Sequence, residues 1–221
     1  PTTVCSPVCD GNNLWFGSLD GLFRLDTESM KLRKYGTLER NKGVSDPKVY
    51  YCYRSKAGKL YFSNTLGLFE YLPESDSFRQ INCFNGVFIT CMDEDSKGNF
   101  WISSFATGLF VWNPQEDNLI ANYRYGDGSG LPSDKIASVL TDKEDQVWVV
   151  GFSDGFAKMT DGQFVSYSTT NLPALPSNVY FYAIQDNRGD LWMTSDKGLV
   201  QFSPNTKQVS HYTSISGLLD N

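Results

Sequence analysis

The chain has 221 residues, of which 40% are hydrophobic, 14% aromatic and 20% charged. That is a globular composition, large enough for a sizeable core, with an aromatic share that favours strands over helices. The net charge of −6 repels phosphate backbones and the basic residues are scattered, which excludes nucleic acid as a partner. No apolar run approaches the roughly 20 residues of a membrane span, so this segment is expected to make no membrane contact.

The first unit is expected to start with a strand at Val4, turn at Asp10-Gly11-Asn12 and return through Leu14-Trp15-Phe16-Gly17. An Asx/Gly turn between two apolar runs is a hairpin signal. Gly21 opens an alternating third strand, Gly21-Leu22-Phe23-Arg24-Leu25, and Tyr35 marks a fourth. The second unit repeats this order. Val49 starts it, Lys56-Ala57-Gly58 makes the turn, Leu60-Tyr61-Phe62-Ser63 the second strand, Gly67 opens the third and Phe78 marks the fourth.

The third unit takes strands at Ile89 to Glu94 and Phe100-Trp101-Ile102-Ser103, around the turn Ser96-Lys97-Gly98, then Gly108 and Tyr123. The fourth takes Ile136 to Thr141, the turn Lys143-Glu144-Asp145, Val147-Trp148-Val149-Val150, Gly155 and Tyr167. The fifth takes Tyr180 onwards, the turn Asn187-Arg188-Gly189, Leu191-Trp192-Met193-Thr194, Gly198 and Tyr212.

The aromatic anchors fall at 15, 61, 101, 148 and 192, a period of 40 to 47 residues. Four short antiparallel strands per period make the blade of a β-propeller. The expected class is therefore all-β, with five four-stranded antiparallel blades at about 1–43, 44–85, 86–130, 131–174 and 175–216. The strand-B tryptophans are placed to pack between blades. Trp112 falls where other repeats carry Leu25, Tyr71, Met159 and Phe202, so all five tryptophans are repeat positions. Residues 217–221 match the lead-ins Leu131-Pro132-Ser133-Asp134 and Leu175-Pro176-Ser177-Asn178. The pattern thus predicts a fragment of a larger seven-bladed or double propeller, and apolar end faces that would pair with a second copy.

These motifs resemble the two-component regulator propeller repeat, most closely in Leu175-Pro176-Ser177-Asn178, Asp186, Gly189, Leu191-Trp192 and Lys197-Gly198-Leu199. Ser55 and Tyr61 depart from the pattern in repeat 2, and Asp145 replaces a turn glycine in repeat 4. The resemblance implies the periplasmic sensor region of a Bacteroides-type hybrid two-component sensor, the extracytoplasmic part of an inner-membrane protein. It further implies detection of oligosaccharides, homodimerisation through the parent sensor, and signalling to a histidine kinase outside this chain. A propeller glycosidase or lyase and a protein-interaction scaffold are the alternatives.

Within a propeller, ligands are expected at the loops joining strand B to C and strand D to A. Phe105 and Phe152 occupy equivalent B–C positions where other blades carry Leu19, Thr65 and Asp196. With Tyr125 they could form a platform for a sugar ring, Asp127 and Asp154 accepting hydroxyl hydrogen bonds. Alternatively, both phenylalanines cap the core between blades. Tyr180-Phe181-Tyr182 lies on strand A, which lines the channel, so one ring could face it, but packing in the core is the favoured expectation; Asp127-Gly128-Ser129-Gly130 is expected to be a flexible loop. Asp142-Lys143-Glu144-Asp145 reads as a solvated hairpin turn rather than a calcium site.

No catalytic residue, metal or cofactor is expected. His211 is the one histidine, beside Tyr212 on an outer strand, which leaves no triad and no multi-histidine metal site. Cys5, Cys9, Cys52, Cys83 and Cys91 lack the spacing of a zinc site and are expected to be small core hydrophobes.

Overall fold

The computed structural model describes residues 4–35 and 48–218. The chain is all-β, of the β-propeller class, with five four-stranded antiparallel sheets. It divides into two compact units, Pro1–Ile89 and Thr90–Asn221. Among the described residues no helix is long and apolar enough to cross a membrane.

In the first unit, blade 1 comprises β1 (Val4–Asp10), β2 (Asn13–Ser18), β3 (Gly21–Asp26) and β4 (Leu32–Tyr35). Blade 2 comprises β5 (Tyr51–Arg54), β6 (Leu60–Asn64), β7 (Gly67–Leu72) and β8 (Ser77–Gln80). Trp15 is 1% exposed, and its ring lies 5.4 Å from Phe62 and 4.7 Å from Tyr71 of the neighbouring blade.

In the second unit, blade 3 comprises β9 (Ile89–Glu94), β10 (Phe100–Ser104), β11 (Leu109–Asn113) and β12 (Asn118–Tyr123). Blade 4 comprises β13 (Ile136–Thr141), β14 (Val147–Gly151), β15 (Phe156–Thr160) and β16 (Gln163–Tyr167). Blade 5 comprises β17 (Tyr180–Gln185), β18 (Leu191–Ser195), β19 (Gly198–Ser203) and β20 (Gln208–Tyr212). Phe156 sits at the core between blades 4 and 5, its ring 5.0 Å from Phe202 and 5.6 Å from Tyr180. Trp148 reaches Phe202 at 6.1 Å, whereas half-buried Trp101 and Trp192 stack within their own blades on Tyr123 and Tyr212.

One hydrogen-bond device recurs in blades 3, 4 and 5. Asp95, Asp142 and Asp186 each stand six residues before a strand-B tryptophan and close the A–B turn. In each, Oδ1 accepts two turn N–H groups and Oδ2 accepts the indole N–H. The Trp148 Nε1 to Asp142 distance is 2.8 Å. Asp145, in place of a glycine, keeps the left-handed backbone with φ 60° and accepts from Ser96 N and Oγ at 2.7 and 2.6 Å.

The glycine opening strand C is fixed by a close approach. At Gly155, φ is 83° and a Cβ would collide with the carbonyl oxygen of Tyr167, the last residue of the blade's outer strand. Gly108 is held in the same way against Tyr123.

Three expectations need correction. Cys52 and Cys91 are buried, but Cys9 and Cys83 are exposed, so the cysteines are not uniformly core residues. Of the Tyr180-Phe181-Tyr182 run only Tyr180 packs inside, at 0% exposure, while Phe181 and Tyr182 are 44% and 50% exposed. A β-bulge between Tyr180 and Tyr182 breaks the alternation and puts both of the latter outside. The Asp127–Gly130 segment is tied down, with Phe164 N donating to Ser129 O at 2.7 Å. The 217–221 lead-in lies only partly within the described residues.

The aspartate clamp should carry measurable stability. Asp142→Ala removes the acceptor of a buried indole and two turn caps, and should cost about 2–4 kcal/mol. Urea denaturation of Asp142→Ala against the exposed control Glu116→Ala checks this; equal midpoints would show that the clamp contributes nothing.

Candidate functional site

The B–C loops are short and braced from below. In blade 3, Ser104 Oγ donates to Gly108 O at 2.8 Å and accepts Thr107 N at 2.9 Å. In blade 4, Gly151 N donates to Gly155 O at 2.9 Å, and Phe152 N donates to Lys135 O at 3.3 Å. The glycines that open strand C also reach the D–A connections, Gly108 N to Asp134 O and Gly155 N to Asn178 O. The phenylalanines on these loops are therefore held on rigid supports.

The structure brings Phe105 and Phe152 together, with ring centroids 5.5 Å apart at 63°. Phe181 extends the row, 6.3 Å from Phe152 at 62°. Phe105 is 43% exposed, whereas Phe152 is half-buried and packs on the core of blades 4 and 5. Phe152 thus anchors a row whose ends face solvent. Residue types alone could not place Phe181 here, because its exposure depends on the bulge.

Tyr125 is 69% exposed and makes no ring contact with this row among the described residues. Its backbone N–H donates to Asp134 Oδ1 at 2.8 Å. Asp127 is committed locally, accepting Arg124 N at 2.8 Å and Ser129 N at 2.7 Å. Hydrogen bonds from Ser129 and from the Arg124 backbone hold its carboxyl below the ordinary range. Asp154 is exposed two residues beyond Phe152 and accepts the Ser153 hydroxyl.

The lead-in motifs are structural clamps. Leu131 and Leu175 are buried at 2% and 4% exposure. Asp134 takes Arg124 in a two-pronged ion pair at 3.0 and 2.9 Å, and Asn178 accepts Thr169 N at 2.8 Å. His211, on β20, places Nε2 2.6 Å from Lys197 O. Among the described residues no group of three His, Cys, Asp or Glu side chains is placed to hold a metal.

No family model matches the chain, and no curated protein sequence matches it. Solved structures do. The extracellular domain of BT4673 from B. thetaiotaomicron, described in one structure as that of a one-component system and in another as that of a hybrid two-component system, superposes with TM-score 0.82 and 0.81 at 21% and 20% identity over 96% of this chain. That of BT3049 from the same organism, described as a hybrid two-component system, gives TM-score 0.81 at 18% identity over 95% of this chain. The chain spans 31% and 30% of the length of those two proteins. A catalytically inactive histidine-to-alanine form of virginiamycin B lyase from Staphylococcus aureus, solved with quinupristin, gives TM-score 0.71 at 12% identity. That match covers 96% of this chain and 70% of the lyase. The chain therefore shares its propeller fold with these extracellular domains, as the repeat motifs led us to expect.

Acidification tests the loop clamp. The Arg124 hydrogen bond, outweighing burial, holds the Asp134 carboxyl below its ordinary value of 3.8. A carboxylate so depressed contributes its stability in full above that value and loses it as pH falls through the folded pKa. Asp134→Asn should therefore flatten the acid limb of the stability–pH curve below 3.8 and leave its neutral slope unchanged. Thermal melts across pH 2.5 to 7 (about this span brackets the transition) read this directly; an unaltered acid limb would refute it.

Proposed function

We propose that this chain is a ligand-binding propeller segment of an extracytoplasmic sensor of the hybrid two-component type. It detects oligosaccharides across the Phe105–Phe152–Phe181 row, without chemistry of its own. The observation that carries this is the row itself, three neighbouring blades contributing one exposed or half-exposed ring each. An apolar C–H face of a sugar ring suits such a surface, and Asp154 in the Phe152 loop supplies a hydroxyl acceptor. Tyr125 and Asp127 lie on the D–A connection and would meet a longer ligand. The likeness to extracellular domains of hybrid two-component systems supports the compartment and the sensor role.

Binding rather than turnover is our reading of the chain's own residues: His211, the one histidine, sits on an outer strand with Nε2 against Lys197 O. Signal output would be a ligand-biased rearrangement between paired copies of the parent sensor, a shift of populations. The kinase that reads it lies outside this chain.

Thermal-shift screening against plant and host oligosaccharides should return at least one stabilising ligand. A binder at a hundredfold excess over Kd adds about 2.7 kcal/mol. Phe105→Ala with Phe152→Ala should then weaken its binding at least about tenfold, the equivalent of roughly 1.4 kcal/mol. Absence of any stabilising saccharide, or full affinity in the double variant, would overturn this reading.

A further inference from the structure

Blades 1 and 2 depart from the repeat, and their departures meet in one place. In blade 1 the A–B turn is one residue shorter, Asp10 pairing directly with Asn13. Asp10 therefore misses the indole. Among the described residues Trp15 Nε1 is buried without a hydrogen-bond partner, and the Asp10 carboxylate goes to Arg54 at 3.3 Å. In blade 2 the aspartate is Ser55 and the tryptophan is Tyr61. Opposite Tyr61, β7 carries Glu70 where the other blades have Arg24, Val111, Lys158 and Gln201.

Glu70 is a nearly buried carboxylate, its side chain 5% exposed, at a strand position where the other blades carry none. Lys59 Nζ lies 2.8 Å from Oε1, and Arg79 grips Oε2 at 3.1 and 2.6 Å. Burial raises its pKa, but the hydrogen bonds from Lys59 and Arg79 outweigh this and keep it ionised. A buried ion pair is seldom needed for stability, since apolar residues of similar volume do as well or better. Four other blades fold without one at this position.

The ionic group walls a cleft of about 710 Å³ within the unit Pro1–Ile89. Leu60, Tyr71 and Pro73 line it together with Asp10, Lys59 and Glu70. The volume is that of a small-molecule site. Asp10 and Glu70 already have cations, so they do not call for a charged ligand. What they leave is the Asp10 carboxylate and the Lys59 ammonium, held in place by these pairings, beside an apolar wall of Ala57, Leu72 and Pro73. A ring with one apolar face and a rim of hydroxyls matches that combination.

We infer that this cleft is a second binding site, taking one or two units of a neutral polyhydroxylated ring. The inference rests on the saccharide-sensing reading above but places a site outside the phenylalanine row, which belongs to the other unit.

The test is saturation-transfer NMR on the whole chain with cellobiose, maltose and xylobiose as probes. Three variants are compared: Ala57→Trp, which fills the cleft from an exposed turn position, Glu70→Gln, and the double variant Phe105→Ala/Phe152→Ala. Circular dichroism melts confirm folding, and Ala57→Trp keeps the test open should Glu70→Gln unfold. The expected result is disaccharide binding in two components: the double phenylalanine variant loses the one carried by the ring row and keeps the other, and that other component weakens at least roughly tenfold in Ala57→Trp. Binding that is unchanged in Ala57→Trp and lost in the double variant would overturn the cleft and leave the sensor reading standing. No binding by the parent chain would overturn both.

Discussion

The hydrogen bond from a strand-B indole to the aspartate six residues earlier organises this molecule. One carboxylate closes the A–B hairpin by capping two turn N–H groups, and its second oxygen fixes the tryptophan. A charged acceptor serving three donors is worth more than three separate neutral bonds, because a lost partner would leave a buried polar group unsatisfied. Where the clamp is intact the indole either reaches the next blade, as Trp148 does to Phe202, or stacks in its own, as Trp192 does on Tyr212. Where it fails, other chemistry takes its place. Trp15 lies under the Arg24 guanidinium, 5.4 Å from the ring. Tyr61 replaces the tryptophan in the blade whose aspartate is Ser55. In blade 2 aspartate and tryptophan are thus both replaced, while blade 1 keeps both and loses the bond through a shorter turn.

The same economy shapes the loop face. Strand C begins at a glycine because the end of strand D passes where a Cβ would stand, and that glycine's N–H ties the B–C loop to the next D–A connection. The loop tips are then free to vary without cost to the sheet. Phe105 and Phe152 occupy tips that carry Leu19, Thr65 and Asp196 elsewhere, and they meet because the supports beneath them are equivalent. Variation on a fixed scaffold is where recognition concentrates.

Much of the fold was legible in residue order. The tetrads and the terminal aromatics fall on the strands they marked, and the opening glycines stand first in strand C or just before it, because side-chain alternation and turn chemistry are local properties. Strands Ile136–Thr141 and Ile89–Glu94 have the bounds expected of them. The candidate site was legible only in part. Phe105 and Phe152 stood out as departures from the repeat, and they are in contact. The engagement of Asp127 by its own loop was not apparent, although aspartate two residues before a Ser N–H is an Asx-turn signal that could have been read. Cys9 and Cys83 look no different in sequence from buried Cys52 and Cys91.

The sequence by itself determined the repeat, the four-strand blade and the glycine and aspartate positions, since each follows from conformational limits within a few residues. Only the tertiary structure decided which aromatic rings face solvent. A single extra residue in β17 turns Phe181 and Tyr182 outward, and a single missing residue in the first turn sends Asp10 from Trp15 to Arg54. Register shifts of one residue reverse the direction of a side chain, and which register prevails depends on what packs against the strand from distant parts of the chain.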